Sequence, residues 1–421
     1  MSDYRNVWTL ILAVALLQVA GGLLGVITPL GLEALGVSPF LIGAIAAVYA
    51  AGFMAGAWTE PRALSLFGNI RVFSIGAALT AAAALVMELY PASLVWTLCR
   101  LVQGAGFAWM LASAESWISS AVSREHRGGV TAVYQVLAKA ALMAGPFLAA
   151  GTSALSPQAY LWCGVFLALS LVPVCLTRRG QPPRPKAMPL PFTRLFAVAP
   201  SAVIGAFFAG LITTGTLALL PIFAQYIPLL HPGTSTTALA ATAMAAASFG
   251  GLVGQWPVGR LSDVLDRRVV IVAVAVASAV TAGGLGLFFD DLPGLWSLAL
   301  LALWGAAGFA IYSVSVAHGI DRADMGDLAR MMSGLMFIWG AGSVLGPPIS
   351  GAAMRAGAGP GGLFLSTAVL SVLLALTVLA RRRVRPAATA ETSAEKWKIA
   401  QPPSVGGAGL GAREADAPAG D

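Results

Sequence analysis

Apolar residues in this chain come in long unbroken runs rather than in short alternating segments. Twelve runs stand out, near 8–30, 39–59, 71–89, 93–118, 129–151, 157–177, 197–221, 236–258, 269–289, 294–317, 329–353 and 359–380. A helix needs about 20 apolar residues to cross a hydrocarbon core about 30 Å thick. Inside lipid the backbone N–H and C=O groups find partners only within a helix or a closed barrel. A barrel would leave segments of about ten residues with alternating character. The pattern therefore predicts an all-α membrane protein with twelve transmembrane helices.

Polar residues between the runs set the orientation. With the N-terminus in the cytoplasm, 22 of the 25 Lys and Arg fall in inner segments or the tail. Only Arg355 falls in an outer loop, and Arg100 and Lys139 lie inside spans. Such a bias is the positive-inside signature, and an even number of spans then puts both termini in the cytoplasm. The stretch TRRGQPPRPKAMPLPFTR (177–194) is basic, Pro-rich and without an apolar period, so it reads as a linker. It divides the chain into a six-helix bundle at 1–177, a cytoplasmic linker at 178–196 and a second bundle at 197–380. Residues 381–421 open with RRRVRP, a stop-transfer cluster, and continue as an Ala-, Gly- and Pro-rich tail expected to be disordered.

Composition agrees with lipid as the solvent. The chain is 58% hydrophobic and 10% charged, where an ordinary soluble domain has about 25% charged residues. Its net charge of +7 follows the cytoplasmic loops, so anionic headgroups are better partners than nucleic acid. Cys99, Cys163 and Cys175 lie in or beside apolar runs without a CxxC pair, which argues against a disulfide framework or a zinc site. The first run is too long for a signal-peptide core and is expected to be retained. GAGPGG (357–362) matches GxGxxG, but it joins two spans with no preceding strand. No GxxxxGK[ST], HExxH or GxSxG occurs, and His126, His231 and His318 are expected in separate loops without metal spacing. No metal, no cofactor and no enzymatic activity are expected.

The two halves share local sequence. GAWTEPR (56–62) aligns with GQWPVGR (254–260), GAGFA (104–108) with GAAGFA (305–310), and GPFLAAG (145–151) with GPPISG (346–351). All three offsets are near 200 residues, which points to an internal repeat of pseudo-symmetric bundles around a central site.

These features resemble the major facilitator superfamily over residues 8–380. The segment GRLSDVLDRR (259–268) resembles its signature loop G-x-L-a-D-r-x-G-r-k, with Gly259, Leu261, Asp263, Arg267 and Arg268 matching and Asp266 in place of the usual Gly. The first-half counterpart, GAWTEPR, carries Glu60 where Asp is usual, followed by Arg62. RLVQGAG (100–106) looks like R-x-x-Q-G-x-G, which in the family implies proton coupling. Gly145-Pro146 resembles the core of an antiporter motif, with Ala149 and Ala150 in place of its following glycines. GGLLGVITPL, ESWIS and Tyr134 are similar to a sparsely characterised bacterial branch. The resemblance implies a multi-pass protein of the bacterial inner membrane that works as a monomer.

Candidate chemistry lies in the charges. An ion at mid-membrane costs about 2.5–3.5 kcal/mol or more unless it faces water or a partner. Arg100 and Lys139 are both expected near mid-depth, with Gln103 and Gln135 one turn away. They are the leading substrate-binding or coupling residues, with Gln18, Tyr134 and Gln225 as further candidates and Trp109 and Trp339 as aromatic ones. Gating is expected of Gly259, Asp263, Arg267 and Arg268, with Arg267 or Arg268 pairing to Asp321 or Asp324. In the first half it is expected of Glu60, Arg62 and Glu115, whose partner is Arg62 or Arg71, with Arg124 or Arg127 as the local alternative. Close helix packing is expected at Gly104, Gly145, Pro146, Gly346 and Pro347. The expected function is secondary active transport by alternating access, moving a small organic solute outward in exchange for protons. Proton-coupled uptake of an organic anion, or a non-transporting sensor or scaffold with the same fold, remain as alternatives.

Overall fold

The computed structural model describes residues 2–122, 126–150, 153, 155–176, 192–228, 233–356 and 359–382. Its elements are helical, and twelve helices account for the twelve apolar runs. They are α1 (Ser2–Ala34), α2 and α3 within the continuous stretch Pro39–Leu89, α4 (Ser93–Ala121), α5 (Arg127–Ala144) and α6 (Pro157–Cys175). The second half holds α7 (Pro200–Phe223), α8 (Thr236–Val264), α9 (Arg267–Phe288), α10 (Gly294–Arg322), α11 (Leu328–Arg355) and α12 (Gly362–Arg382).

Pro39–Leu89 is 51 residues long. As one straight helix it would span about 77 Å at 1.5 Å per residue, over twice a hydrocarbon core. It is broken at Gly68, with φ 77° and ψ 167°, a conformation closed to side chains with a Cβ. Contacts with α4 show that the chain reverses there. In α2 (39–67), Gly52 meets Leu101 and Gly56 meets Ala105, a parallel arrangement. In α3 (69–89), Asn69 Nδ2 donates to Ser113 O at 3.0 Å while Gly76 meets Gly106 and Met110, an antiparallel one. The loop expected between spans two and three is thus a single-residue reversal, since Ala63, Leu64 and Leu66 continue the helix readily. Likewise GRLSDVLDRR is mostly helical: α8 runs to Val264 and only Leu265 and Asp266 separate it from α9.

The rest of the linker expectation divides in two. Residues 178–191 lie outside the described residues, as does the expected tail from 383 onward. Phe192–Val198, whose first residues were assigned to the linker, is instead a short helix. Leu195 explains it, being buried in a cluster with Ala199, Met331 and Leu335.

The three sequence matches mark equivalent helix contacts. A Cβ on Gly104 would strike the carbonyl of Tyr49, and one on Gly305 the carbonyl of Ala247. Gly52 and Gly56 approach α4 as Gly250 and Gly254 approach α10. Gly145 sits against Val19 of α1, and Gly346 against Leu211 of α7. Helices in lipid associate through such small residues because apolar burial against another helix gains little over burial against acyl chains. Outward faces stay apolar: Leu161, Val165, Leu169, Val172 and Leu176 form an exposed stripe along α6. In water such a stripe would be a liability.

The halves meet mainly at one end, the end opposite the start of α1. There Gly43 lies against the Pro347 carbonyl, Gly351 against the Pro39 carbonyl, and Gln225 donates to Glu33. Gly340 against Met54 continues the α2–α11 seam toward the middle.

Candidate functional site

Between the halves lies a cavity of about 470 Å³, within the range of small-molecule sites. Helices from both halves line it: α1, α2, α4 and α5 on one side, α7, α8, α10 and α11 on the other. The wall is mostly apolar, and among the described residues its lining includes Arg100 and Lys139 but no Asp or Glu. Thr28 on the wall has a hydroxyl oxygen with no hydrogen-bond partner among the described residues.

Arg100 is gripped rather than loose. Its Nη1 donates to Gln103 Oε1 at 3.0 Å, one helical turn on, and its Cζ lies 4.0 Å from the centre of the Tyr49 ring. Gln103 is fully buried and its amide nitrogen reaches Met87 Sδ at 3.4 Å. The expected Arg100–Gln103 association is present, and Tyr49 is an addition. Its only sequence signal was being a Tyr in the apolar run of α2, on the face of Ile42, Ile45 and Phe53, which also line the cavity.

Lys139 reaches across the seam, its Nζ donating to Gln255 Oε1 of α8 at 3.2 Å. Gln255 was not singled out in the sequence; its one signal was an amide within the apolar run of α8. Trp339 lines the cavity, its ring 6.0 Å from Tyr312.

Five candidates fall elsewhere. Tyr134 is buried inside the first half, where its hydroxyl donates to Glu115 Oε1 at 3.0 Å. That bond draws it away from the cavity and gives Glu115 a tyrosine partner that the sequence did not suggest. Gln135 and Gln18 are half-buried and absent from the cavity lining, which on their helices begins about one turn further along, at Lys139 and Gly21. Gln225 lies at the closed end, bonded to Glu33. Trp109 is a packing residue, its Nε1 3.1 Å from both Gly56 O and Thr59 Oγ1. Pro146 and Pro347 line the cavity as well as serving close packing.

The polar cluster at the other end is built around Arg267. This buried side chain pairs with Asp321 Oδ2 at 2.5 Å, with Ser262 Oγ at 2.9 Å and with Asp263 Oδ1 at 3.4 Å. Asp263 is itself 57% exposed, so Asp321 is the principal partner. Asp266 caps α9 by accepting from the Arg268 backbone N–H at 3.0 Å and meets the Arg268 guanidinium at 3.3 Å. Partial burial pushes its carboxyl up, but these Arg268 contacts outweigh that and hold it below the usual carboxylate range. Gly259 faces open space, with nothing within 4 Å of where a Cβ would stand, so no close approach requires a glycine there. Glu60 is buried within α2 rather than held in a loop, and Arg62 lies 5.4 Å above the Trp58 ring. His318, expected in a loop, is inside α10; His231 and Arg124 lie outside the described residues. No cluster of metal-ligating residues occurs among the described residues.

Comparison with known proteins gives the arrangement a context. The family model of the Major Facilitator Superfamily matches residues 10–324. An uncharacterized MFS-type transporter of Enterobacter sp. (strain 638) is 24% identical over 363 residues, covering 84% of this chain and 91% of that one. The uncharacterized MFS-type transporter YcaD of Escherichia fergusonii is 26% identical over 361 residues, with the same two coverages of 84% and 91%. Among solved structures, a mutant of the nucleoside transporter NupG superposes with a TM-score of 0.76 at 13% identity, over 89% of this chain and 98% of that one. A bacterial homolog to the human lysosomal transporter Spinster, inward-facing and unoccupied, gives 0.72 at 16% identity, over 94% and 98%. At such identities the structural likeness carries the fold alone.

Proposed function

Because the chain belongs to the Major Facilitator Superfamily, we propose that its two bundles rock about the central cavity and carry a partly apolar organic anion across the membrane by alternating access. The observation that supports this reading is the cavity wall. Two cations, Arg100 and Lys139, share one chamber with no carboxylate on its lining among the described residues. An anion entering it meets charge-assisted donors in an environment that strengthens them. The apolar remainder of the wall suits a carbon skeleton.

The basic loops support reading the end bearing Arg267 as cytoplasmic, and the localisation expected is the bacterial inner membrane with a working monomer. Contacts across the seam gather at the opposite end, which supports reading the conformation as open inward. Proton-coupled export of an organic solute is the second reading, and Lys139 favours it. Its hydrogen bond is to a neutral amide, so the ammonium can give up its proton without breaking an ion pair.

Counterflow in proteoliposomes tests both. Organic anions should exchange and their neutral isosteres should not, and Lys139→Gln should weaken exchange about tenfold, the worth of one charge-assisted hydrogen bond. Equal exchange of anions and neutral isosteres by the wild type would overturn the anion reading. An intravesicular pH signal that survives in Lys139→Gln would remove the proton role from that residue.

A further inference from the structure

A second polar pocket, separate from the cavity, opens at the basic end of the second half. Pro200, Ser201, Arg268, His318, Arg322 and Arg381 line it, from four different helices. Its volume is about 30 Å³, above the roughly 10–15 Å³ that one water needs by this measure. Pro200 and Ser201 are the first two residues of α7, a 24-residue helix. Its N-terminal N–H groups and dipole favour negative charge.

Three observations beyond the helix terminus point to a ligand. Arg268 and His318 are 3% and 6% exposed, so the basic groups are built into the wall and are not surface decoration. His318 makes no hydrogen bond among the described residues, yet borders the pocket. The wall gathers positive charge: the Arg268, Arg322 and Arg381 side chains and the positive end of α7 line the same small space.

We infer that this pocket binds a phosphate group, carried by an anionic phospholipid headgroup or free in the cytoplasm, through Arg322, Arg381, Arg268, His318 and the start of α7. Guanidinium groups fit phosphate oxygens in a bidentate manner. A position at the inner surface of the bilayer suits a headgroup whose acyl chains remain in lipid. The bound phosphate would tie the starts of α7 and α9 to the ends of α10 and α12, beside the Arg267–Asp321 pair.

Thermal unfolding of the delipidated protein in detergent, at ionic strength held constant with chloride, tests this. Inorganic phosphate, short-chain phosphatidylglycerol and the matching uncharged diacylglycerol are titrated separately. Phosphatidylglycerol should raise the melting temperature and the uncharged lipid should not. A rise with inorganic phosphate as well identifies free phosphate as sufficient; a rise with phosphatidylglycerol alone identifies the headgroup. Arg381→Gln should weaken the titration midpoint about tenfold, the loss of one charge-assisted bond, while Arg382→Gln should stay within about twofold. Ser201→Asp guards against a folding artefact, since a carboxylate in the first turn of α7 is favourable for the helix yet occupies the anion's place. It should abolish the rise. No rise with either phosphate source, equal weakening by Arg381→Gln and Arg382→Gln, or a rise that persists in Ser201→Asp would each overturn the inference.

Discussion

Arg100 shows how a charge is kept at depth. Gln103 takes one guanidinium nitrogen and the Tyr49 face covers the plane, which fixes the direction in which the remaining donors point into the cavity. The Tyr49 contribution should therefore reside in the ring and not in the hydroxyl. Tyr49→Phe should keep apparent substrate affinity within about twofold, and Tyr49→Leu should weaken it about fivefold, the worth of a cation–π contact near 1 kcal/mol. Transport kinetics at matched expression measure both; equal effects would show that the stack does not orient Arg100. Arg100 and Lys139 were legible in the sequence because a charge inside an apolar run is costly and so conspicuous. Tyr49 and Gln255 were not, being 51 and 116 residues distant from their partners in the chain. Tyr134 misled for the converse reason: its polarity serves Glu115, a partner in its own half.

Among the elements, glycine position separates contacts that hold helices together from those that merely interrupt them. Gly104 of α4 has no room for a methyl group against the Tyr49 carbonyl, and a shift of α4 would also move Arg100 on the preceding turn. Gly283, inside α9, has nothing within 4 Å of the same position. Gly104→Ala should destabilise by about 1–3 kcal/mol through overpacking. Gly283→Ala should be neutral or stabilising by about 0.5–1 kcal/mol through helix propensity. Melting temperatures in one detergent give the comparison, and a similar drop in both variants would refute the packing argument. The spans were readable because lipid leaves the backbone only a helix or a closed barrel, and the length of the apolar runs declares the helix. Joints were less readable. EPRALSLFGNI (60–70) carries charge and Pro, the marks of a loop, yet its Ala and Leu residues hold helix up to the one glycine that reverses the chain.

For the whole molecule, the twofold design was visible in three matches at one offset, because close contacts between helices leave glycine at repeated positions. Which end is shut was not visible, since seam contacts join residues with no shared local pattern. Glu33 and Gln225 illustrate this: one ends α1, the other follows α7, and they meet only because the halves have closed there. If alternating access operates, that contact must part in every cycle. Cysteines at both positions, joined by a short reducible bis-thiosulfonate linker, would hold the end shut. Cys175 is the exposed native thiol and is replaced first. Cross-linking should lower transport about tenfold or more, since a state held shut by a covalent bond lies beyond the roughly 5.5 kcal/mol that moves an equilibrium from 1:99 to 99:1. Dithiothreitol should restore it. Substrate binding from the open end should persist in the linked protein, because Arg100 and Lys139 still line the cavity. Full transport by a completely linked protein would mean that the halves do not separate at this end, and the rocking motion would have to be abandoned.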